Sequence, residues 1–293
     1  MNSPAPDVFA PTSPAPRSAK GTARRLVLTD FDGTFAEAGG VPDAHVQAAR
    51  ALREAGHLFV LATGRPRSIV SEQIRSLFDG VIASAGCHVE FGGIVLQDRH
   101  YPPELTTRAL AVLREHDALF ALEATEAMWV QSGDAPGMRE AFAPAQARSG
   151  NNSILLEAIR EVPDPEARPF AKIFVQRSPV SVEVLAEAIG PGVRPLPSSL
   201  LRDGHHRGEL QLSAVDKADG LHLLAEHLGI PVPNTIAVGD GLNDLGMLEA
   251  AGVAVGISGG AEEVARIADL MVPGPTEGGF ARACERLDLL SVA

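Results

Sequence analysis

Short apolar runs alternate with helix-like stretches at both ends of this chain, and the alternation stops in between. Near the start, Leu26–Thr29, Leu58–Ala62 and Val81–Ser84 read as buried strands, with helices predicted over 42–55 and 67–77. From Asp216 the rhythm resumes, with helices over 217–228, 245–251, 261–268 and 280–287 and strands over 235–238, 253–255 and 270–272. Apolar strands that recur between helices imply a parallel sheet covered on both faces. The fold class is therefore α/β, and its core domain is discontinuous: residues 25–85 and 214–293.

Residues 86–213 follow a different rhythm and read as an inserted α+β domain. "EFGGIVLQ" predicts a hairpin, "TTRALAVLREH" and "SVEVLAEAIG" predict helices, "EAMWVQS" and "AKIFVQR" predict strands, and "DGHHRGELQLS" a turn and a last strand. The stretch 131–170 carries Pro and Gly with few periodic signals, and no element is assigned there. Residues 1–24 are rich in Pro, Ser and Ala, without the apolar stretch of a secretory leader, and read as a flexible tail.

The 293 residues, 45% of them hydrophobic, suffice for one large core or two modest ones. A net charge of −12 argues against nucleic-acid or membrane-surface partners, which call for basic surfaces. No apolar run nears the roughly 20 residues of a membrane span. The two cysteines, Cys87 and Cys284, have no metal-type spacing and suit reduced thiols in a cytoplasmic protein. No sequence feature sets an oligomeric state.

Four clusters sit at, or just after, the C-terminal ends of predicted core strands, the edge where open α/β sheets bind ligands. In "DFDGT", Asp30 ends a strand and Asp32 lies on a loop relaxed by Gly33. One ionised acid suits a nucleophile or metal ligand, and a second, carrying a proton, suits a general acid. In "LATGRP", the Thr63 hydroxyl and the Gly64 N–H suit a phosphate oxygen, although Thr-Gly after a strand is also an ordinary turn.

The third cluster is Lys217, at a predicted helix start where the helix dipole disfavours a cation. Lysine occurs only at 20, 172 and 217 among 25 basic residues, so lysine here suggests a point contact with phosphate and carboxylate rather than a general need for charge. A solvated surface lysine is the alternative. In the fourth, "VGDGLNDLGML", Asp240 and Asp244 suit a hard cation such as Mg²⁺, and Asn243 either caps the following helix or touches the ligand. Asp244 has the alternative of a plain helix N-terminal acid.

The order of these clusters resembles the haloacid dehalogenase-like hydrolase superfamily, whose pattern is D-x-D-G-T, then Thr or Ser, then Lys, then G-D-x-x-N-D, each near a strand end. Here these are Asp30-Phe31-Asp32-Gly33-Thr34, Thr63, Lys217 and Gly239-Asp240-Gly241-Leu242-Asn243-Asp244. The insertion resembles the capped, Cof-type branch, which includes sugar phosphatases. One departure is Ala85, where that branch often has Asn.

The resemblance implies a Rossmann-like core with an α+β cap, and hydrolysis of a small phosphorylated metabolite, most naturally a sugar phosphate. It implies Asp30 as nucleophile through an aspartyl-phosphate and Asp32 as general acid and base. Mg²⁺ is implied on Asp30, the Asp32 carbonyl and Asp240, with Asp244 as ligand or support. Thr63 and Lys217 are implied to hold the phosphoryl group, and Lys172, on a cap strand, to face the leaving group. His205 and His206 read as solvated, and Trp129 as cap core. Two other readings stay open: a phosphomannomutase-like phosphomutase using the same phospho-aspartate, and a non-catalytic module that binds a phospho-ligand.

Overall fold

The predicted core strands reappear in a computed structural model that describes residues 23–37, 40–140, 142, 153–197 and 204–291. The predicted tail falls outside these residues except for Ala23 and Arg24. The chain begins β1 (Leu26–Thr29), α1 (Asp43–Glu54), β2 (Leu58–Ala62), α2 (Glu72–Arg75), β3 (Gly80–Ala83), β4 (His88–Phe91) and β5 (Ile94–Asp98). It continues α3 (Pro103–Glu115), β6 (Leu119–Glu123), β7 (Met128–Gln131), a helix over 135–140 (α4), α5 (Ser153–Ala158), β8 (Ile159–Val162), β9 (Lys172–Ser178), α6 (Val182–Ile189), β10 (Val193–Pro197) and β11 (His206–Leu212). It closes α7 (Lys217–His227), β12 (Thr235–Gly239), α8 (Leu245–Ala250), β13 (Val253–Ile257), α9 (Glu262–Ile267), β14 (Leu270–Val272) and α10 (Gly279–Arg286).

An eight-stranded sheet runs β14-β13-β12-β1-β2-β3-β4-β5 and a six-stranded sheet β10-β11-β9-β6-β7-β8. Backbone contacts divide the chain inside β2 and again inside α7. One unit holds the described residues up to Val60 and from Leu221; the other is Leu61–Gly220.

In the first unit β1, β12, β13 and β14 pair in parallel, with Thr29 opposite Val238. That register brings the C-terminal ends of β1 and β12 level. Every residue of β1 and β12 is buried, as expected for central parallel strands. Phe35, Phe59 and Phe280 form an aromatic cluster, Phe59 stacked on Phe280 at 4.9 Å. His45 is fully buried against it, its Nδ1 2.9 Å from the Phe35 carbonyl while its Nε2 accepts from the Phe280 N–H at 3.2 Å. Those partners fix the neutral ring with its proton on Nδ1.

In the second unit the six-stranded sheet is antiparallel except for β7 and β8. Period-two alternation separates its faces. Ile173 and Val175 of β9 enter a core with Leu110 and Leu113 of α3 and Leu185 and Ile189 of α6. Phe174 enters another with Met138 and Phe142. Trp129 is buried in the first of these cores, as its sequence context predicts.

Three readings of the sequence are corrected. The helix expected over 67–77 is broken: Val70 is extended, and the Ser71 hydroxyl accepts from the Ile74 N–H at 3.2 Å, capping a new helix at Glu72. The hairpin of β4 and β5 forms as expected but extends the eight-stranded sheet, β4 pairing antiparallel with β3. The short connection 84–86 makes neighbours of consecutive strands. The stretch 131–170, to which no element was assigned, includes α4, α5 and β8. Cys87 and Cys284 are free and buried, and burial pushes the Cys87 thiol up to about 11. No helix among the described residues is long and apolar enough to cross a membrane.

Candidate active site

Asp30 follows the last residue of β1, and its N–H donates to the Val238 carbonyl of β12 at 2.9 Å. The parallel register thus sets Asp30 beside the turn that carries Asp240 and Asp244. One carboxylate oxygen from each of these three lies within 4.8 Å of the others. Asp30 is 6% exposed and Asp244 fully buried. Three carboxylates held so close repel one another, and hard oxygen donors at this spacing suit a divalent cation.

The turn residues are chosen for this approach. The Asp244 Oδ2 accepts from the N–H groups of Asp240 (3.1 Å) and Gly241 (2.9 Å), closing the 240–244 loop on itself. Asp244 therefore organises the loop as well as contributing to the acidic group. Gly239 is required beneath it, because a Cβ there would sit 2.6 Å from the Asp244 Cβ. Gly33, at φ 84°, passes so close that a Cβ would lie 2.6 Å from the Asp240 Oδ2. Thr34 donates its hydroxyl to the Asp240 Oδ1 at 2.6 Å. Asn243 folds over Gly241, its Oδ1 2.5 Å from where a Cβ would be. The Asp32 side chain is exposed and stands outside the three-carboxylate group.

The haloacid dehalogenase-like hydrolase family model matches residues 27–284, which include every one of these positions. The chain belongs to this family. It is 26% identical over 277 residues to YkrA of Bacillus subtilis, which bears a provisional phosphatase name, covering 91% of this chain and 98% of that one. It is 27% identical over 267 residues to a phosphoglycolate phosphatase of Methanopyrus kandleri, covering 89% and 96%. Its fold matches that of BT4131, a sugar phosphatase of subclass IIB, at a TM-score of 0.73 and 20% identity, covering 90% and 99%.

The remaining candidates of this haloacid dehalogenase-like chain lie in the second unit. Thr63 follows β2 and is 1% exposed. Its hydroxyl oxygen accepts from the Arg65 N–H at 3.1 Å, which leaves the hydroxyl proton to donate. Its carbonyl accepts from Ala85, a residue in left-handed backbone at φ 55°. Lys217 opens α7 fully buried, which excludes the solvated alternative. Asp216 and Asp219 cap this helix reciprocally: Asp216 accepts from the Ala218 N–H, and its own N–H donates to Asp219. These acids offset the dipole that disfavours a lysine there.

Lys172 is 1% exposed. Its Nζ lies 2.8 Å from Glu209 Oε1 and 2.9 Å from Glu123 Oε2, and donates to the Gly64 carbonyl at 2.6 Å. Two residues read separately as substrate contacts, Gly64 and Lys172, are thus bonded to each other. Burial opposes the Lys172 charge, but Glu123 and Glu209 outweigh it and hold its pKa above the ordinary lysine value. Burial pushes the Glu123 carboxyl up, Lys172 opposing and Glu209 adding to the shift. Sequence reasoning missed both glutamates, since neither lies in a motif. It missed Gly260 too, where a Cβ would lie 2.4 Å from the Asp240 carbonyl.

Proposed function

We propose that this chain is a phosphatase that hydrolyses a small phosphorylated metabolite, a sugar phosphate in the first instance, through a phosphorylated Asp30. The observation that carries the reading is the convergence of Asp30, Asp240 and Asp244 at the level ends of β1 and β12. The phosphatase names of the relatives support it.

In this reading an Asp30 carboxylate oxygen bonds to phosphorus as the bond to the leaving oxygen breaks. Asp32, exposed on its loop and able to reach solvent, gives its proton to the departing alkoxide. Asp32 then takes a proton from water, whose oxygen bonds to phosphorus as the Asp30–phosphorus bond breaks, releasing inorganic phosphate and the free carboxylate. Thr63, with its remaining proton, the Gly64 N–H and the buried ammonium of Lys217 bind the phosphoryl oxygens. Asn243 borders the same ligand from the 240–244 loop.

The donor set fits Mg²⁺: the carboxylates of Asp30, Asp240 and Asp244, with the Asp32 carbonyl, would hold it. Bound there, it supplies positive charge against the phosphoryl oxygens and relieves the repulsion among the acids. The test is phosphate release from a panel of phosphorylated metabolites, with and without Mg²⁺. Turnover that needs Mg²⁺ and accumulates inorganic phosphate is expected. Transfer between sugar positions without phosphate release favours a phosphomutase, and binding without turnover favours a non-catalytic module; either result overturns the reading.

A further inference from the structure

On the six-stranded sheet, β6, β9, β10 and β11 place five polar side chains in one connected row. Lys172 and Glu123 are cross-strand partners, and so are Arg194 and Gln211. Glu209 accepts from the Lys172 ammonium through Oε1 and from the Gln211 Nε2 through Oε2 at 2.9 Å. The Gln211 Oε1 accepts from Arg194 at 3.1 Å, and the same Arg194 nitrogen approaches the Val215 carbonyl at 3.4 Å. The row therefore ends on two backbone carbonyls: Gly64, next to Thr63, and Val215, two residues before Lys217.

We propose that Lys172 is a positioning residue, and that the row from Lys172 through Glu209, Gln211 and Arg194 sets the backbone of both phosphate-binding segments from one sheet. An ammonium has three N–H groups, and here Glu123, Glu209 and the Gly64 carbonyl surround it with three oxygens. With these three oxygens around it, the ammonium acts on the substrate through Gly64 and not by contact with the leaving group. Glu123 and Glu209 keep the ammonium charged in a buried place, and a charge-assisted bond to a carbonyl fixes that carbonyl more firmly than a neutral donor does. At Val215 the other end of the row restrains the segment that leads into α7 and Lys217. The Gly86 backbone passes beneath that segment so closely that a Cβ would lie 2.1 Å from the Asp216 carbonyl. Displacement of a phosphate-binding group by about an ångström is enough to cost a hundredfold in rate.

This inference rests on the proposed phosphatase reading, and the experiment separates the two. Wild-type protein is titrated with inorganic phosphate by calorimetry and assayed on p-nitrophenyl phosphate and glucose 6-phosphate, alongside Lys172→Met, Arg194→Gln and Arg194→Lys, with melting temperatures for all. Lys172→Met should weaken phosphate binding and lower kcat about tenfold, by the same factor on both substrates. Arg194→Gln should do so about threefold, and Arg194→Lys should restore both. Lys172→Met strands the buried Glu123 and the half-buried Glu209, so if it does not fold the Arg194 pair decides. Wild-type phosphate affinity and kcat in folded Lys172→Met or Arg194→Gln overturns the inference. So does a loss that spares phosphate binding and differs between the two substrates, which would make Lys172 a leaving-group contact. Wild-type protein that neither binds phosphate nor releases it overturns the phosphatase reading itself and the inference with it.

Discussion

The Thr34 hydroxyl donates to the Asp240 carboxylate at 2.6 Å, tying the loop after β1 to the loop after β12 across 206 residues of sequence. That bond orients the Asp240 carboxylate, one oxygen of which lies within 4.8 Å of Asp30 and Asp244. Partners that orient a metal ligand typically change metal affinity by about 10- to 100-fold when removed. Thr34→Val, which keeps the shape and deletes the donor, should raise the Mg²⁺ concentration for half-maximal activity by about tenfold, and Thr34→Ser should not. A Mg²⁺ titration of phosphate release checks this; an unchanged midpoint in Thr34→Val removes Thr34 from the role.

Asp30→Asn preserves size and the backbone bond to Val238 but removes the nucleophilic oxygen. Loss of a covalent nucleophile should lower kcat by at least about a thousandfold. The variant should melt no lower than wild type, because relieving one of three crowded carboxylates removes repulsion. A drop of only a few-fold, in a folded protein, would show that the phosphoryl group goes elsewhere.

Ala85 shows what a motif comparison leaves out. Its backbone is left-handed, at φ 55° and ψ 34°, where a side chain with a Cβ is strained by about 1 kcal/mol. The turn persists because the Ser84 and Ala85 N–H groups donate to the Arg65 and Thr63 carbonyls. Ala85→Gly should therefore stabilise the protein by about 0.5–1 kcal/mol, and Ala85→Val should destabilise it by more than that. Urea unfolding midpoints of the two variants decide it, and a less stable Ala85→Gly would show that strain is not what Ala85 contributes.

Much of this was legible in the sequence, for reasons that differ from residue to residue. β1, β2 and β14 are uninterrupted apolar runs bounded by polar or turn residues, so their limits are written locally. Asp30 and Asp240 were legible because an acid directly after a buried strand is costly without a purpose, and Asp244 because it shares the glycine-rich loop that Asp240 opens. The break at Val70–Ser71 was not, because a serine inside an apolar period reads equally as helix surface or as a cap, and only its bond to Ile74 decides. β10 went unread, since two prolines in "VRPLP" suit only an edge strand, and that is where it lies. Glu123 and Glu209 were hidden because their purpose is a lysine far away in sequence, and cross-strand partners leave no periodic mark.

His45 supplies a pH dependence that owes nothing to the acidic group. Burial lowers its pKa below the ordinary value, with backbone hydrogen bonds to Phe35 and Gly278 only partly opposing. A histidine whose folded pKa is depressed binds a proton more readily when unfolded. Well above pH 6.5 both states are neutral there and it contributes no pH dependence; as the pH falls through about 6.5 the unfolded state gains the proton first. Stability should then fall with decreasing pH, by at most about 1.4 kcal/mol per pH unit from this one group. His57 shifts in the same direction, through burial and the nearby arginines, whereas His88 is raised and acts oppositely, so a difference measurement is needed. His45→Phe retains the ring among Phe35, Phe59 and Phe280 but leaves the Phe280 N–H and the Phe35 carbonyl without their partner. It should be less stable than wild type at pH 8, and the gap should narrow between pH 7 and pH 5.5. Parallel urea midpoints for the two proteins across that range would show that His45 does not titrate on unfolding.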